Sequence, residues 1–181
     1  PRRGFGNIIG HVDGVTDPSN LSAWTTQQFD PTLNWADVEW IKKRWGGKLI
    51  LKGIQDVEDA RLAVNSGADA IVVSNHGGRQ LDGAPSSIRA LPAIVDAVGT
   101  RTEVWLDGGI RSGQDVLKAW ALGARGTMIG RAAVYGLGAM GEAGVTKALQ
   151  IIHKELDVTM AFCGHTQLTN VDHGILRPGT Y

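Results

Sequence analysis

Cysteine is almost missing from this chain of 181 residues. Cys163 stands alone, so no internal disulfide can form, and a reducing compartment is expected. Lying in Met160-Ala161-Phe162-Cys163-Gly164, it reads as a small core residue rather than a nucleophile. Excess charge is missing too. Lys+Arg and Asp+Glu each count 18, which excludes a chain-wide attraction to nucleic acid or to an anionic membrane and leaves any useful positive charge to act locally. No run approaches the ~18 apolar residues of a membrane span. Pro1-Arg2-Arg3 passes into Gly4-Phe5-Gly6-Asn7 without an apolar stretch, so no secretory leader is expected at this end. His11, His153, His165 and His173 lack metal-ligand spacing, and no metal is expected.

What is present is enough apolar material for a core, 43% of residues, and many glycines, 25 in all. Apolar, β-rich runs occupy 49–54, 70–76, 103–109 and 126–131. Each is nearly continuous rather than alternating, as in strands buried on both faces of a parallel sheet. A helical pattern follows each run. Asp56 caps a helix carrying Val57, Ala60, Ala63 and Val64 and stopped by Gly67. Ser112 and Asp115 form a capping box before Val116, Leu117, Ala119 and Trp120. Pro92 disfavours a long helix, so 86–91 reads as a turn and 92–98 as the helix. Val145, Ala148, Leu149, Ile152 and Leu156 keep helical spacing in a last long helix. Strand then helix, four times over, predicts an α/β architecture with right-handed crossovers. Before it, 7–34 reads as a long polar loop, and Asn34 or Trp35 opens a helix with Val38, Ile41 and Trp45. Residues 165–181 read as a tail.

The chemistry gathers where the strands end. Lys52, then Ser74-Asn75-His76, then Asp107, then Arg131 close successive runs, and parallel α/β sheets bind ligands at the carboxyl ends of their strands. Asp107-Gly108-Gly109-Ile110-Arg111-Ser112-Gly113 turns from a strand through glycines into a helix start, which suits an anion. Gly130-Arg131 adds a glycine amide and a guanidinium on the next strand, fit for a phosphate. The plain alternative is tight turns and surface charges; two such motifs on adjacent strands weigh against it. His76 suits general-base work and Arg79 can hold a carboxylate. Alone, His76 reads better as a hydrogen-bonded structural residue, and it is Arg79 and Lys52 nearby that tip the balance to catalysis. Gly136-Leu137-Gly138-Ala139-Met140-Gly141 matches the dinucleotide G-x-G-x-x-G pattern, but it does not begin directly after a strand, so helix packing explains it better than NAD.

These motifs resemble the FMN-dependent 2-hydroxy-acid dehydrogenase and oxidase family, which includes glycolate oxidase, bacterial L-lactate dehydrogenase and mandelate dehydrogenase. The resemblance rests on Leu51-Lys52-Gly53-Ile54, on Val73-Ser74-Asn75-His76-Gly77-Gly78-Arg79-Gln80-Leu81-Asp82-Gly83, on 107–113, and on 122–131. Phe29-Asp30-Pro31-Thr32-Leu33-Asn34-Trp35 is most like the bacterial dehydrogenases. The family fold is a (β/α)8 TIM barrel, of which this chain supplies the C-terminal half: four core parallel strands with their helices in 49–164, preceded by a loop and helix over 1–48.

The resemblance also implies roles. Lys52 sits near the flavin N1–C2 carbonyl, Ser74 bonds the flavin or ribityl region, and Asp107 holds the ribityl chain. Gly108, Gly109, Arg111, Gly130 and Arg131 surround the phosphate of FMN. His76 is the base and lies by both cofactor and substrate, while Arg79 pairs with the substrate carboxylate. A companion N-terminal half carrying further substrate contacts is implied, as is a homotetramer. The family also has relatives in which the region of 7–34 is mobile or faces a membrane, so peripheral contact with the inner membrane accompanies an expected cytoplasmic location. Three other readings remain at this stage: a related FMN barrel of other specificity, a Schiff-base aldolase-like barrel built on Lys52, and an inactive flavin- or phosphate-binding fragment.

Overall fold

The computed structural model describes residues 6, 8, 11–14 and 18–179. The chain divides into two compact units, Pro1–Asp37 and Val38–Tyr181. In the first, helix α1 (Pro18–Gln28) corrects the reading of 7–34 as loop throughout. Its apolar residues show no helical period, but Pro18 at the first helical position is a start signal that the loop reading passed over. The rest of that reading, at 7, 9, 10 and 15–17, lies outside the described residues. Asn34 then caps α2 (Trp35–Trp45): its Oδ1 accepts from the Ala36 N–H at 2.9 Å, and Asp37 Oδ2 accepts from the Asn34 N–H at 2.8 Å.

The second unit holds a four-stranded, all-parallel sheet in the order β1 (Ile50–Ile54), β2 (Ala70–Val73), β3 (Glu103–Asp107), β4 (Gly126–Met128). Between the strands run α3 (Val57–Asn65), α4 (Ser87–Val98) and α5 (Gly113–Ala121); α6 (Arg131–Met140) and α7 (Glu142–Phe162) follow β4. This is the second half of a (β/α)8 barrel, and β1 and β4 are its two open edges. Only β2 is buried throughout. Burial in β1 and β3 alternates, with Lys52 and Trp105 among the less buried positions. Lys52, Val72 and Trp105 align in register and so share one face. The core lies on the other side, where Ile71, Val73, Val104 and Leu106 meet Leu91, Ile94 and Val98 of α4, all fully buried or nearly so.

The local signals act as expected at two helix starts. Asp56 Oδ1 accepts from the Glu58 and Asp59 N–H groups, and Ser112 and Asp115 make the reciprocal capping box. Three expectations are corrected. α4 begins at Ser87 and runs through Pro92, which forfeits one hydrogen bond while Leu91, Ile94 and Val98 anchor the face that decides the helix. The tail is packed: Val171 is buried with Leu117 and Ala121, beside Leu168, Ile175 and Leu176. Cys163 is exposed, because it ends α7 rather than continuing its apolar face. Gly136, the first glycine of the G-x-G-x-x-G stretch, packs against Gly144. A Cβ on Gly136 would stand 2.5 Å from the Gly144 carbonyl oxygen, and one on Gly144 would collide with that of Gly136, so α6 and α7 meet backbone to backbone.

Candidate active site

The site begins with a bulge. The register of β1 against β2 shifts between Lys52 and Ile54, at Gly53, whose φ of 102° suits glycine. A Cβ on Gly53 would lie 2.8 Å from Cε1 of His76, so glycine here also makes room for the imidazole. Lys52 thereby reaches the end of the neighbouring strand. Its Nζ donates to Ser74 Oγ at 3.1 Å and lies 2.9 Å from Asp107 Oδ2. Ser74, almost wholly buried, donates to Asp107 Oδ2 at 2.6 Å and accepts the His76 N–H at 3.1 Å. Its hydroxyl is therefore fully used, with two bonds accepted and one donated. Burial works against ionisation of Asp107, yet the bonds from Ser74 and Lys52 and the charges of Lys52 and His76 hold its carboxyl below the usual carboxylate range.

His76 opens a 3₁₀ turn, His76–Gly78, with a φ of 55°, the one positive value at a non-glycine among the described residues. For such a residue this conformation costs about 1–2 kcal/mol. The amide bonds of His76 to Ser74 Oγ and of Gly77 to Asn75 Oδ1, each worth about 1 kcal/mol, offset it. The imidazole is left exposed at the strand end.

On β3, Gly108 turns away at a φ of 103°, where a Cβ would crowd Ser87 Oγ at 3.1 Å. Beyond it, a cavity of about 390 Å³ opens at the carboxyl end of the sheet. Lys52, His76, Arg79, Asp107, Gly108, Gly109, Arg111, Gly130 and Arg131 all line it, and Ser74 lies beneath, bonded to three of the lining residues. All the residues singled out in the sequence thus come together. The apolar wall was not anticipated: Ile110, Met128 and Val134 also face the cavity. Four cations against one carboxylate make its lining electropositive.

A family model described as FMN-dependent dehydrogenase matches residues 6–178. The chain belongs to that family. An L-lactate dehydrogenase of Caulobacter vibrioides is 51% identical over 175 residues, covering 95% of this chain and 45% of the relative. The chain thus spans less than half the length of that L-lactate dehydrogenase. Among solved structures, (S)-mandelate dehydrogenase, described as a monotopic membrane protein, superposes with a TM-score of 0.81 at 37% identity, covering 89% of this chain and 43% of that one. A mandelate oxidase variant with a monooxide FMN adduct gives 0.76 at 46% identity, covering 80% and 46%.

FMN is the cofactor of this family, and the residues present fit it. No atom lies within 4 Å of where a Cβ would stand on Gly109 or Gly130, so the backbone is open to an incoming group at both places. Arg111 and Arg131 flank that opening with guanidinium groups suited to phosphate. Residues that sequence reasoning left without a role are Gly53, Gln55, Asn75 and Ser87. An asparagine between a strand and a Gly-Gly turn was the available signal for Asn75; nothing local marks Gln55.

Proposed function

We propose that this chain supplies the catalytic and phosphate-binding half of a site that oxidises an L-2-hydroxy acid, of the lactate, mandelate or glycolate class, to the 2-oxo acid. The observation that carries the reading is the convergence of His76, Arg79, Lys52, Arg111 and Arg131 on one cavity at the carboxyl ends of parallel strands. Gly108, Gly109, Arg111, Gly130 and Arg131 would hold the phosphate of FMN. Asp107, Ser74 and Lys52 would hold its ribityl and ring portions. When bound, FMN supplies the acceptor for the electron pair that leaves the substrate.

Arg79 binds the substrate carboxylate at the exposed rim. Oxidation breaks the C2–H and O–H bonds and makes the carbonyl. His76 takes one proton: from the hydroxyl where hydrogen leaves C2 as hydride, or from C2 where the electron pair stays behind before passing to the acceptor, the hydroxyl proton then being released to solvent. Lys52 keeps a fixed positive charge over the site, anchored by Asp107 and Ser74. That engagement of its Nζ also counts against the Schiff-base reading.

The two open sheet edges and the coverage of 45% of the lactate dehydrogenase support a companion N-terminal half that completes the barrel. The same reading includes a homotetramer of completed barrels in the cytoplasm, measurable by analytical ultracentrifugation. It includes peripheral contact with the inner membrane, supported by the likeness to the monotopic mandelate dehydrogenase and measurable by vesicle co-sedimentation. Among the described residues, no helix is long and apolar enough to cross a membrane.

The test is an anaerobic titration of the completed barrel with lactate, mandelate and glycolate, followed in the visible spectrum. We expect a flavin spectrum that bleaches with at least one of them. The variant His76→Gln should keep the flavin and lose the bleaching. A flavin that stays oxidised with all three would overturn the substrate assignment, and a colourless protein that takes up no FMN would overturn the cofactor site.

A further inference from the structure

We propose that Asn75 is a positioning residue that holds His76 in its working conformation by bracing two strand-end loops together. The proposal rests on the functional reading above, in which His76 is the base. Asn75 uses every polar group it has, and its carbonyl accepts the Gly78 N–H at 3.0 Å, closing the turn that carries His76. Its Oδ1 accepts the Gly77 N–H at 3.0 Å, on the far side of His76. Its Nδ2 donates to the Pro85 carbonyl at 3.2 Å, and its own N–H donates to Ser87 Oγ at 3.2 Å. Gln55, in the loop after β1, donates to the same Pro85 carbonyl at 3.1 Å. The first two strand-end loops are therefore clamped at one carbonyl oxygen, and His76 lies between the clamp and the Ser74 hydroxyl that takes its N–H.

The third loop completes the brace by leaving space. A Cβ at Gly108 would stand 3.1 Å from Ser87 Oγ and 3.6 Å from Asn75 Oδ1. Ser87 is buried at the start of α4, so its hydroxyl is fixed by the helix that carries the core residues Leu91, Ile94 and Val98. Position is thus transmitted from the core, through Ser87 and Asn75, to the one left-handed non-glycine residue among those described. Without the brace, the turn keeps only its bonds from Gly78 N–H to the Asn75 carbonyl, from Arg79 N–H to the His76 carbonyl and from His76 N–H to Ser74 Oγ. The flanking Gly77 and Gly78 then let His76 relax toward an ordinary negative φ and swing its imidazole away. The carboxamide does not itself touch reacting atoms in this account. It acts through the backbone of its neighbour.

The experiment uses the completed barrel with Asn75→Ala and Asn75→Asp. Aspartate keeps an oxygen for the Gly77 N–H but sets an acceptor against the Pro85 carbonyl, so it breaks half the brace. Misplacement of a catalytic group by about 1 Å costs on the order of 100-fold in rate. Asn75→Ala should accordingly lower kcat by about 100-fold while KM moves less than about threefold, and Asn75→Asp should fall between it and the parent. In the same samples, without substrate, exchange of the His76 and Gly77 amides should accelerate and the ring resonances of His76 should shift. That readout stands even if no 2-hydroxy acid is turned over, so failure of the functional reading and failure of the brace are distinguishable. Should Asn75→Ala not fold, Ser87→Ala removes one bond only and should move both readouts in the same direction, with Ser87→Thr restoring them. Unchanged exchange and ring resonances would overturn the proposal, as would a rate loss that merely tracks the fraction of folded protein.

Discussion

At the scale of single residues, two aspartates illustrate what fixed positive charge does in this molecule. Asp107 is held ionised inside the site, and Asp69 is held ionised at the opposite end of the sheet, where β2 begins. Asp69 pairs with Lys42 of α2, accepts the Leu49 N–H at 2.7 Å and meets Lys48 at 3.0 Å. The bond from Lys42, then that from Leu49, then that from Lys48, depress its carboxyl far below the usual carboxylate range. A depressed folded value means that the unfolded chain binds the proton more readily. The stabilisation is therefore complete above the unfolded value of about 3.9 and is lost as pH falls through the lower folded value. Asp69→Asn should lower the melting temperature at pH 7 and reduce the difference between melts at pH 7 and about pH 3. Equal melting temperatures for variant and parent at pH 7 would show that the cluster does not hold α2 against the sheet. None of this was legible in the sequence, because Lys42 and Asp69 are 27 positions apart and no local pattern joins them. By contrast the residues of the site were legible, since Lys52, Ser74, His76, Asp107 and Arg131 each stand where an apolar run stops. Asn75 stands there too, but its value lies in Pro85 and Ser87, which only the folded loop brings near.

At the scale of elements, signals confined to a few neighbouring positions were readable, and those that depend on distant packing were not. The capping residues Asp56 and Ser112 act through bonds that span three residues or fewer. Pro92 was misread because its local penalty of one hydrogen bond is outweighed by burial of Leu91, Ile94 and Val98, a tertiary effect. The G-x-G-x-x-G stretch lies in and at the end of α6, and the purpose of its Gly136 required Gly144, on another helix. Gly144 and Gly138 make a sharp comparison. Gly144→Ala must part α6 from α7 and should cost about 1–3 kcal/mol, lowering the melting temperature by roughly 2–4 °C per kcal/mol. Gly138, exposed in α6 with no atom within 4 Å of a Cβ position, should gain about 0.5–1 kcal/mol on change to Ala. Calorimetry of the two variants reads both signs. A neutral Gly144→Ala would mean that the helices are not in backbone contact.

At the scale of the whole molecule, the distribution of burial argues for a seam on each side of the sheet. β2 and β3 have hydrogen-bonded neighbours on both sides, whereas β1 and β4 each expose one row of backbone groups. The side chains agree: Ile50 on β1 is 44% exposed and Met128 on β4 is 38% exposed, both large for apolar strand residues. The core behind the sheet needs no help, because Ile71, Leu91, Val104, Leu106 and Leu117 are closed off by this chain's own helices. We expect folding of the half and closure of the barrel to be separable events. Hydrogen exchange should display them separately. In the chain alone, the amides of β2 and β3 should be protected and the outward amides of β1 and β4 should exchange quickly. Adding the companion half should slow β1 and β4 and leave β2 and β3 nearly unchanged, because only the edge groups gain partners. If β1 and β4 are already as slow as β2 in the chain alone, another partner occupies the edges. A second copy of this chain could do so, and sedimentation would then report a dimer in which the β1 edge of one copy meets the β4 edge of the other.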